Sequence, residues 1–191
     1  GAARRRDPAH DHDLQRRAYV AFTSGTTGEP KGIAGRFEPV AHFVDWYIEE
    51  YAVSARDRFS LLSGLAHDPL LRDIFVPLAA GATLVIPPQK LLADPEGLLR
   101  WFAQEKITCT HLTPAMCRVL TASEQDARLP TLRLAGFGGD RLTGDVIQAL
   151  RAVAPDVAAV NFYGTTETPQ VMAVYPVPAH PANNHRPRQF G

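Results

Sequence analysis

The chain has 191 residues, a length that is sufficient for one α/β domain with a buried core. Hydrophobic residues make up 45% of it and charged residues 21%, which are ordinary values for a globular protein. Its 20 basic and 20 acidic residues cancel, so it lacks the basic excess of proteins that bind nucleic acid or an anionic membrane, and we expect neither partner. Without an apolar run of membrane-spanning length or a secretory signal, and with two cysteines expected to be free thiols, the sequence predicts a cytoplasmic protein.

The predicted elements alternate between strands and helices. The polar segment 1–17 is predicted to be a linker or tail, and so is 179–191. Between them we predict strands at 18–22, 59–62, 83–86, 107–112, 132–137, 158–163 and 171–177, and helices at 39–51, 70–80, 94–106, 114–123 and 143–154. Asp94 and Pro95 mark a helix start, and Gly81 marks a helix end. The pattern predicts an α/β fold with a mostly parallel sheet flanked by helices.

Polar and glycine-rich segments follow several of these strands. They cover residues 23–32, 63–68, 111–113, 138–140 and 161–168. In open α/β sheets, ligands bind outside the carboxyl ends of the strands, so we expect these segments to converge on one site.

The segment 23–32 reads T-S-G-T-T-G-E-P-K-G. Its glycines let the backbone approach a ligand, while its hydroxyls, its N–H groups and Lys31 can bind phosphate oxygens. The spacing differs from that of the Walker phosphate loop. The segment therefore suggests a polyphosphate site, with an ordinary surface turn as the alternative.

This string resembles the phosphate-loop signature of the adenylate-forming superfamily, which includes acyl- and aryl-CoA ligases, luciferases and the adenylation domains of nonribosomal peptide synthetases. A second signature of that superfamily, Y-G-x-T-E, matches Tyr163 to Glu167. The resemblance covers about residues 18–178 and is strongest to a peptide-synthetase adenylation domain. It implies that the chain is a core fragment, one subdomain of the larger adenylate-forming fold.

The resemblance implies that ATP and Mg²⁺ bind to this chain. Thr166 would contact the α-phosphate and Glu167 would ligate Mg²⁺, a role that suits a hard oxygen ligand. Tyr163 would stack on adenine and Asn161 would bind its amino group. The full set of nucleotide-binding residues implied is Thr23, Ser24, Gly25, Thr26, Thr27, Gly28, Lys31, Gly138, Gly139, Asp140, Asn161, Phe162, Tyr163 and Gly164.

The resemblance also places an acid pocket after the second predicted strand. Asp68 falls where amino-acid-activating members bind the substrate ammonium, and His67 falls beside the reacting carboxylate. The alternative for Asp68 is a helix cap before Pro69. The remaining substrate-binding positions implied are Pro69, Arg72, His111, Gly136, Gln170 and Val171, and Phe162 would also reach this pocket.

Arg72 is unusual in a pocket for a simple apolar amino acid, because a guanidinium invites a second carboxylate on the substrate. The run from His67 to Pro69, with Arg72 and Asp73, resembles adenylation domains of the aminoadipate-reductase type. We therefore hypothesise a polar or dicarboxylic amino acid, activated at a side-chain carboxyl. The alternative is that Arg72 lies on the solvent face of its helix.

The resemblance implies that the intact protein activates an amino acid with ATP to an aminoacyl-adenylate and pyrophosphate, and loads it onto the phosphopantetheine thiol of a carrier-protein domain. The partners expected are the amino-acid substrate, the remaining subdomains and that carrier domain. The chain does not begin with Met and lacks the superfamily's later motifs, including its catalytic Lys, so we expect the isolated chain to be inactive. The alternatives are a fragment of an acyl- or aryl-acid CoA ligase and a non-catalytic nucleotide-binding or interaction module.

Overall fold

A mostly parallel sheet forms the centre of the fold in a computed structural model, which describes residues 17–23, 30–64, 67–123, 127–179 and 188–189. Within those residues the sheet has seven strands in the order β4-β3-β5-β6-β7-β8-β9. The strands are β3 (Arg58–Ser60), β4 (Thr83–Val85), β5 (Cys109–Leu112), β6 (Leu134–Phe137), β7 (Ala158–Thr165), β8 (Thr168–Pro176) and β9 (Arg188–Gln189). Strands β3 to β7 are parallel, whereas β8 runs antiparallel to β7 and β9 antiparallel to β8.

The helices of the described residues are α1 (Phe37–Glu50), α2 (Pro69–Ala79), α3 (Pro95–Gln104), α4 (Pro114–Thr121) and α5 (Gly144–Val153). As predicted, Asp94 caps α3, because its carboxylate accepts a hydrogen bond from the Gly97 N–H at 3.0 Å. Gly81 follows α2 with φ of +68°, the left-handed conformation that ends a helix. None of these helices is long and apolar enough to cross a membrane.

Two buried apolar clusters pack against opposite faces of the sheet. Successive residues of a strand point to opposite faces, and Leu134 and Ala135 of β6 accordingly belong to different clusters. Helices α3, α4 and α5 pack in the first cluster, around Phe102 and Leu150, and helices α1 and α2 pack in the second, around Tyr47. The predicted α/β class, with helices on both faces of a mostly parallel sheet, is confirmed.

The first predicted strand lies outside this sheet, which the sequence pattern did not indicate. Strand β1 (Arg17–Thr23) pairs antiparallel with β2 (Lys31–Arg36), and the two form a separate sheet. No strand was predicted at β2, of which only the first two residues fall in the predicted loop 23–32, because its glycines hide the alternation of a strand. The aromatic ring of Tyr19 lies where a side chain at Gly35 would be, so that glycine permits the close cross-strand packing.

Candidate functional site

A cavity of about 490 Å³ opens beyond the carboxyl ends of β5, β6 and β7. The beginning of α2 forms one wall, and the turn between β7 and β8 forms another. The predicted site residues that line it are His67, Asp68, Pro69, Arg72, His111, Gly138, Gly139, Phe162, Gly164, Thr166 and Gln170. This position is the one that a parallel α/β sheet favours for a ligand site.

Asp68 joins the two walls. The Thr166 hydroxyl donates a hydrogen bond to Asp68 Oδ1 at 3.0 Å, across 98 residues of sequence. Asp68 has helical φ and ψ of −57° and −29°, and its side chain accepts no capping hydrogen bond. The capping alternative is therefore not what the structure shows, and the carboxylate faces the cavity instead.

Arg72 is buried in the cavity wall rather than exposed on the solvent face of α2, since only 6% of the residue is accessible. Its Cζ lies 5.5 Å from the centre of the Phe162 ring, and its Nε lies 3.9 Å from Asp73 Oδ1. Burial lowers the pKa of Arg72, although the neighbouring Asp73 charge acts in the opposite direction. The Nε has no hydrogen-bond partner, so this buried cation is incompletely paired.

Gln170 is the second incompletely paired polar group in the wall. The residue is 5% exposed, and neither its amide oxygen nor its amide nitrogen has a hydrogen-bond partner. A buried polar group without a partner costs about 1–3 kcal/mol, so a cavity lined by two of them is suited to a polar ligand group. The pairing state of Gln170 could not be predicted from its sequence position.

His111 lies at the floor of the cavity and is 3% exposed. Its Nδ1 lies 2.7 Å from Asp73 Oδ1, and its Nε2 lies 3.0 Å from the Tyr47 hydroxyl. Tyr47 was not expected at the site from the sequence, and Asp73 was expected there only as part of a motif. An aspartate within the otherwise apolar helix α2 was the signal that could have indicated a buried partner.

Gly136 and Gly139 shape the floor without side chains. A Cβ at Gly136 would lie 2.5 Å from Phe162 Cε2 and 2.7 Å from His111 Cδ2. Gly136 therefore lies behind the lining residues and allows both rings to pack against β6. Gly139 lines the cavity and has φ of +83°, a left-handed conformation that favours glycine.

Several residues that were expected to bind the nucleotide lie outside the cavity. Tyr163 is 64% exposed, and Asp140 is also exposed, with Oδ1 accepting from the Arg141 N–H at 2.7 Å. Asn161 of β7 pairs with Phe137 of β6 and is half-buried. None of these three lines the cavity, and Val171 of β8, also outside it, is half-buried in the cluster of α1 and α2.

Thr23 and Lys31 pair across the end of the β1–β2 sheet. The predicted phosphate-loop residues Ser24, Gly25, Thr26, Thr27 and Gly28 lie outside the described residues. Glu167 is exposed in the turn between β7 and β8. Within the described part of the chain, no three histidine, cysteine or acidic side chains gather as a metal cluster.

Comparison with known proteins identifies the family. The family described as AMP-binding enzyme matches residues 2–190. An L-2-aminoadipate reductase of Schizosaccharomyces pombe is 45% identical over 160 residues, which are 84% of this chain and 11% of that protein. The chain thus spans about a tenth of the length of this relative.

Solved structures agree with this relationship. The nonribosomal peptide synthetase FmoA3, in an AMPPNP-bound form, superimposes with a TM-score of 0.80 at 35% identity, covering 88% of this chain and 18% of the other. The Vibrio cholerae adenylation domain AlmE, in complex with glycyl-adenosine-5'-phosphate, gives a TM-score of 0.80 at 26% identity, covering 89% and 32%. The resemblance noted in the sequence, to a peptide-synthetase-like adenylation domain, is confirmed.

Proposed function

Because the chain belongs to the AMP-binding enzyme family, we propose that it is the part of an adenylate-forming enzyme that binds an amino acid and the phosphates of ATP. In the proposed reaction, a carboxylate oxygen of the amino acid attacks the α-phosphorus of ATP. The new oxygen–phosphorus bond forms as the bond to the bridging oxygen breaks, and pyrophosphate leaves with that electron pair. The products are an aminoacyl-adenylate and pyrophosphate.

The observation that carries this proposal is the set of polar groups in the cavity. Asp68 offers a carboxylate for a substrate ammonium group, and Arg72, on the same wall, offers a buried cation with an unpaired Nε. The amide of Gln170 adds an unpaired donor and an unpaired acceptor. A zwitterionic substrate with a further polar group complements all three.

A dicarboxylic amino acid fits this arrangement best. Its second carboxylate would pair with Arg72, whose guanidinium geometry matches a carboxylate. The S. pombe relative is named after L-2-aminoadipate, a dicarboxylic amino acid, and this supports L-2-aminoadipate as the first candidate substrate. Activation at the side-chain carboxyl would leave the α-carboxylate and the ammonium group as the recognised groups.

The nucleotide would bind beside the cavity. We assign the α-phosphate to Thr166, adenine to Tyr163 and the outer phosphates to the segment 23–32, with Lys31 adding positive charge. Two anions meet in this reaction, so positive charge and hydrogen-bond donors must neutralise them. Mg²⁺ fits a single exposed carboxylate such as Glu167, because it is commonly held by one or two carboxylates together with substrate phosphates, whose charge it neutralises.

Asp68 favours amino-acid activation over the acyl- and aryl-acid ligase alternative, since those acids carry no ammonium group. In the proposed function the remaining subdomains complete the site, and the aminoacyl group passes to the phosphopantetheine thiol of a carrier domain. A non-catalytic module would not need the convergence of Asp68, Arg72 and Thr166 on one cavity.

The test is ATP–pyrophosphate exchange by the intact protein that contains this chain, with a panel of amino acids. We expect exchange with L-2-aminoadipate or another dicarboxylic amino acid, and loss of exchange in Asp68→Asn. Asp145→Asn is the matched control, because it makes the same chemical change on the exposed surface of α5, away from the cavity. Preference for leucine, valine or phenylalanine would contradict the dicarboxylic substrate, and exchange with fatty or aryl acids alone would contradict amino-acid activation.

A further inference from the structure

Behind the cavity floor, three polar side chains form a hydrogen-bonded row that the proposed reaction does not use directly. Tyr47 comes from α1, Asp73 from α2 and His111 from β5, and their exposures are 0%, 1% and 3%. The row runs from the Tyr47 hydroxyl to His111 Nε2 at 3.0 Å, and from His111 Nδ1 to Asp73 Oδ1 at 2.7 Å.

The chemistry of the row fixes the tautomer of the imidazole. Burial raises the pKa of Asp73, but its hydrogen bond with His111 and the charge of Arg72 lower it more, so Asp73 is an ionised acceptor. Burial lowers the pKa of His111, which favours a neutral ring. A neutral ring that donates from Nδ1 has only a lone pair at Nε2, and the Tyr47 hydroxyl donates to it.

Both ring nitrogens are therefore occupied by protein groups. His111 lines the cavity, yet it has no free nitrogen to offer a ligand and presents only the carbon edge of its ring. His111 was expected from the sequence among the substrate-binding residues, and with this geometry it would contact a substrate through its carbon atoms. The polar recognition of a ligand in this part of the cavity falls to other side chains.

Asp73 also faces Arg72, with the Nε 3.9 Å from Asp73 Oδ1. Among the described residues that line the cavity, Arg72 is the one permanent cation. A carboxylate beside a buried guanidinium offsets part of the cost of burying its charge and restricts the directions in which it can point. The same Asp73 oxygen thus shares a hydrogen bond with His111 and lies next to the Arg72 guanidinium.

We propose that Asp73 is a positioning residue of the substrate cavity: it holds His111 in the Nδ1–H tautomer, closed off by Tyr47, and it directs Arg72 toward the ligand. The carboxylate of the substrate that does not react, which is the α-carboxylate when the side-chain carboxyl is activated, is then bound by Arg72 and the amide of Gln170, and His111 contributes packing alone. The assignment of that carboxylate rests on the proposed function, whereas the tautomer of His111 does not.

The first test is ¹⁵N NMR of the intact protein that contains this chain, labelled at histidine, with the His111 signals assigned by their loss in His111→Gln. We expect the wild-type ring to be neutral and protonated at Nδ1. Tyr47→Phe should keep that tautomer, because Asp73 is intact, whereas Asp73→Asn should give a mixture of tautomers, because an amide can donate as well as accept. A wild-type ring protonated at Nε2, or at both nitrogens, would overturn the proposal even if neither variant folds.

The second test compares exchange rates of the intact protein with a dicarboxylic amino acid and with its α-amide, which keeps the ammonium group and the side-chain carboxyl that is activated. We expect Asp73→Asn to lower the kcat/KM preference for the dicarboxylate by about tenfold, because a misdirected guanidinium loses its paired hydrogen bonds to the carboxylate. Asp145→Asn should leave that preference unchanged.

The direction of the change distinguishes the roles of Asp73. If Asp73 is only a competing negative charge, its removal will raise the preference for the dicarboxylate; if it only supports the fold, both substrates will be affected equally. Either result overturns the proposal. If the intact protein activates no amino acid, the proposed function fails, and the tautomer of His111 alone decides whether Asp73 is a positioning residue.

Discussion

We predict that removing the charge of Asp57 destabilises the chain in a pH-dependent way. Arg133 donates to both oxygens of this carboxylate, from Nε at 2.8 Å and from Nη2 at 2.9 Å. The Thr108 hydroxyl and the Ser54 N–H donate to it at 2.8 and 2.9 Å. Burial raises the pKa of Asp57, but these donors and the Arg133 charge outweigh burial and lower the pKa to about 2.

The size of the effect follows from this pKa. A fall from the ordinary value of 3.8 to about 2 corresponds to about 2 kcal/mol of folding free energy at neutral pH. The Asp57 side chain is 7% exposed, but the Arg133 side chain is 40% exposed, so solvent screens the pair from one side. We therefore expect Asp57→Asn to lower the free energy of unfolding by about 1–2 kcal/mol at neutral pH.

The sign of the pH dependence is fixed because the pKa is lower in the folded state than in the unfolded state. The contribution of Asp57 is complete above about pH 4 and is lost as the pH falls from about 4 to about 2. The gap in stability between wild type and Asp57→Asn should narrow over that interval. Urea unfolding followed by far-ultraviolet circular dichroism measures the gap at each pH.

The matched control is Asp145→Asn, which removes a carboxylate that is 68% exposed and pairs with Arg118 at 3.1 Å. An exposed ion pair of this kind contributes little to stability, so the unfolding midpoint of Asp145→Asn should equal that of wild type. Equal midpoints of wild type and Asp57→Asn at neutral pH would contradict a stabilising role of the Asp57 charge. A stability difference between the two proteins that stays constant as the pH falls would contradict it as well.

Three further outcomes follow from the cavity and the core. Gly136→Ala should destabilise the chain by about 1–3 kcal/mol in thermal unfolding, because its Cβ would lie 2.5 Å from Phe162 Cε2, and an unchanged Tm would contradict this packing. Arg72→Leu should abolish exchange with a dicarboxylic amino acid and lower the Tm, since it leaves the buried Asp73 carboxylate without its neighbouring cation; an unchanged Tm would contradict that pairing. Cys109 and Cys117 should react with a thiol reagent only after unfolding, because burial raises the pKa of each to about 12, and rapid labelling of the native chain would contradict their burial.

The alternating strands and helices could be predicted from the sequence because short apolar runs and helical periodicity recur along it. The helix start at Asp94 and the helix end at Gly81 were also predictable, since both depend on local backbone chemistry. The separate β1–β2 sheet was not, because a strand's partner is chosen by tertiary packing and β2 is rich in glycine.

The candidate site shows the same limit. Motifs and the carboxyl ends of strands indicated which segments converge, and Asp68 and Arg72 do line one cavity. The hydrogen bonds of His111 with Tyr47 and Asp73 could not be predicted from the sequence. These partners lie 64 and 38 residues away in sequence and meet only when α1 and α2 pack on the sheet. The pairing state of a buried polar group is a property of tertiary structure.

The separation of the two sheets also bears on how local stability is distributed. Within the described residues, β1 and β2 pair as strands only with each other, and Tyr19 of β1 packs against a buried cluster. Elements with few buried apolar contacts open in local fluctuations at free energies far below that of global unfolding. The β1–β2 pair can thus open without melting the central sheet, whereas the cavity is built on that sheet and keeps its geometry.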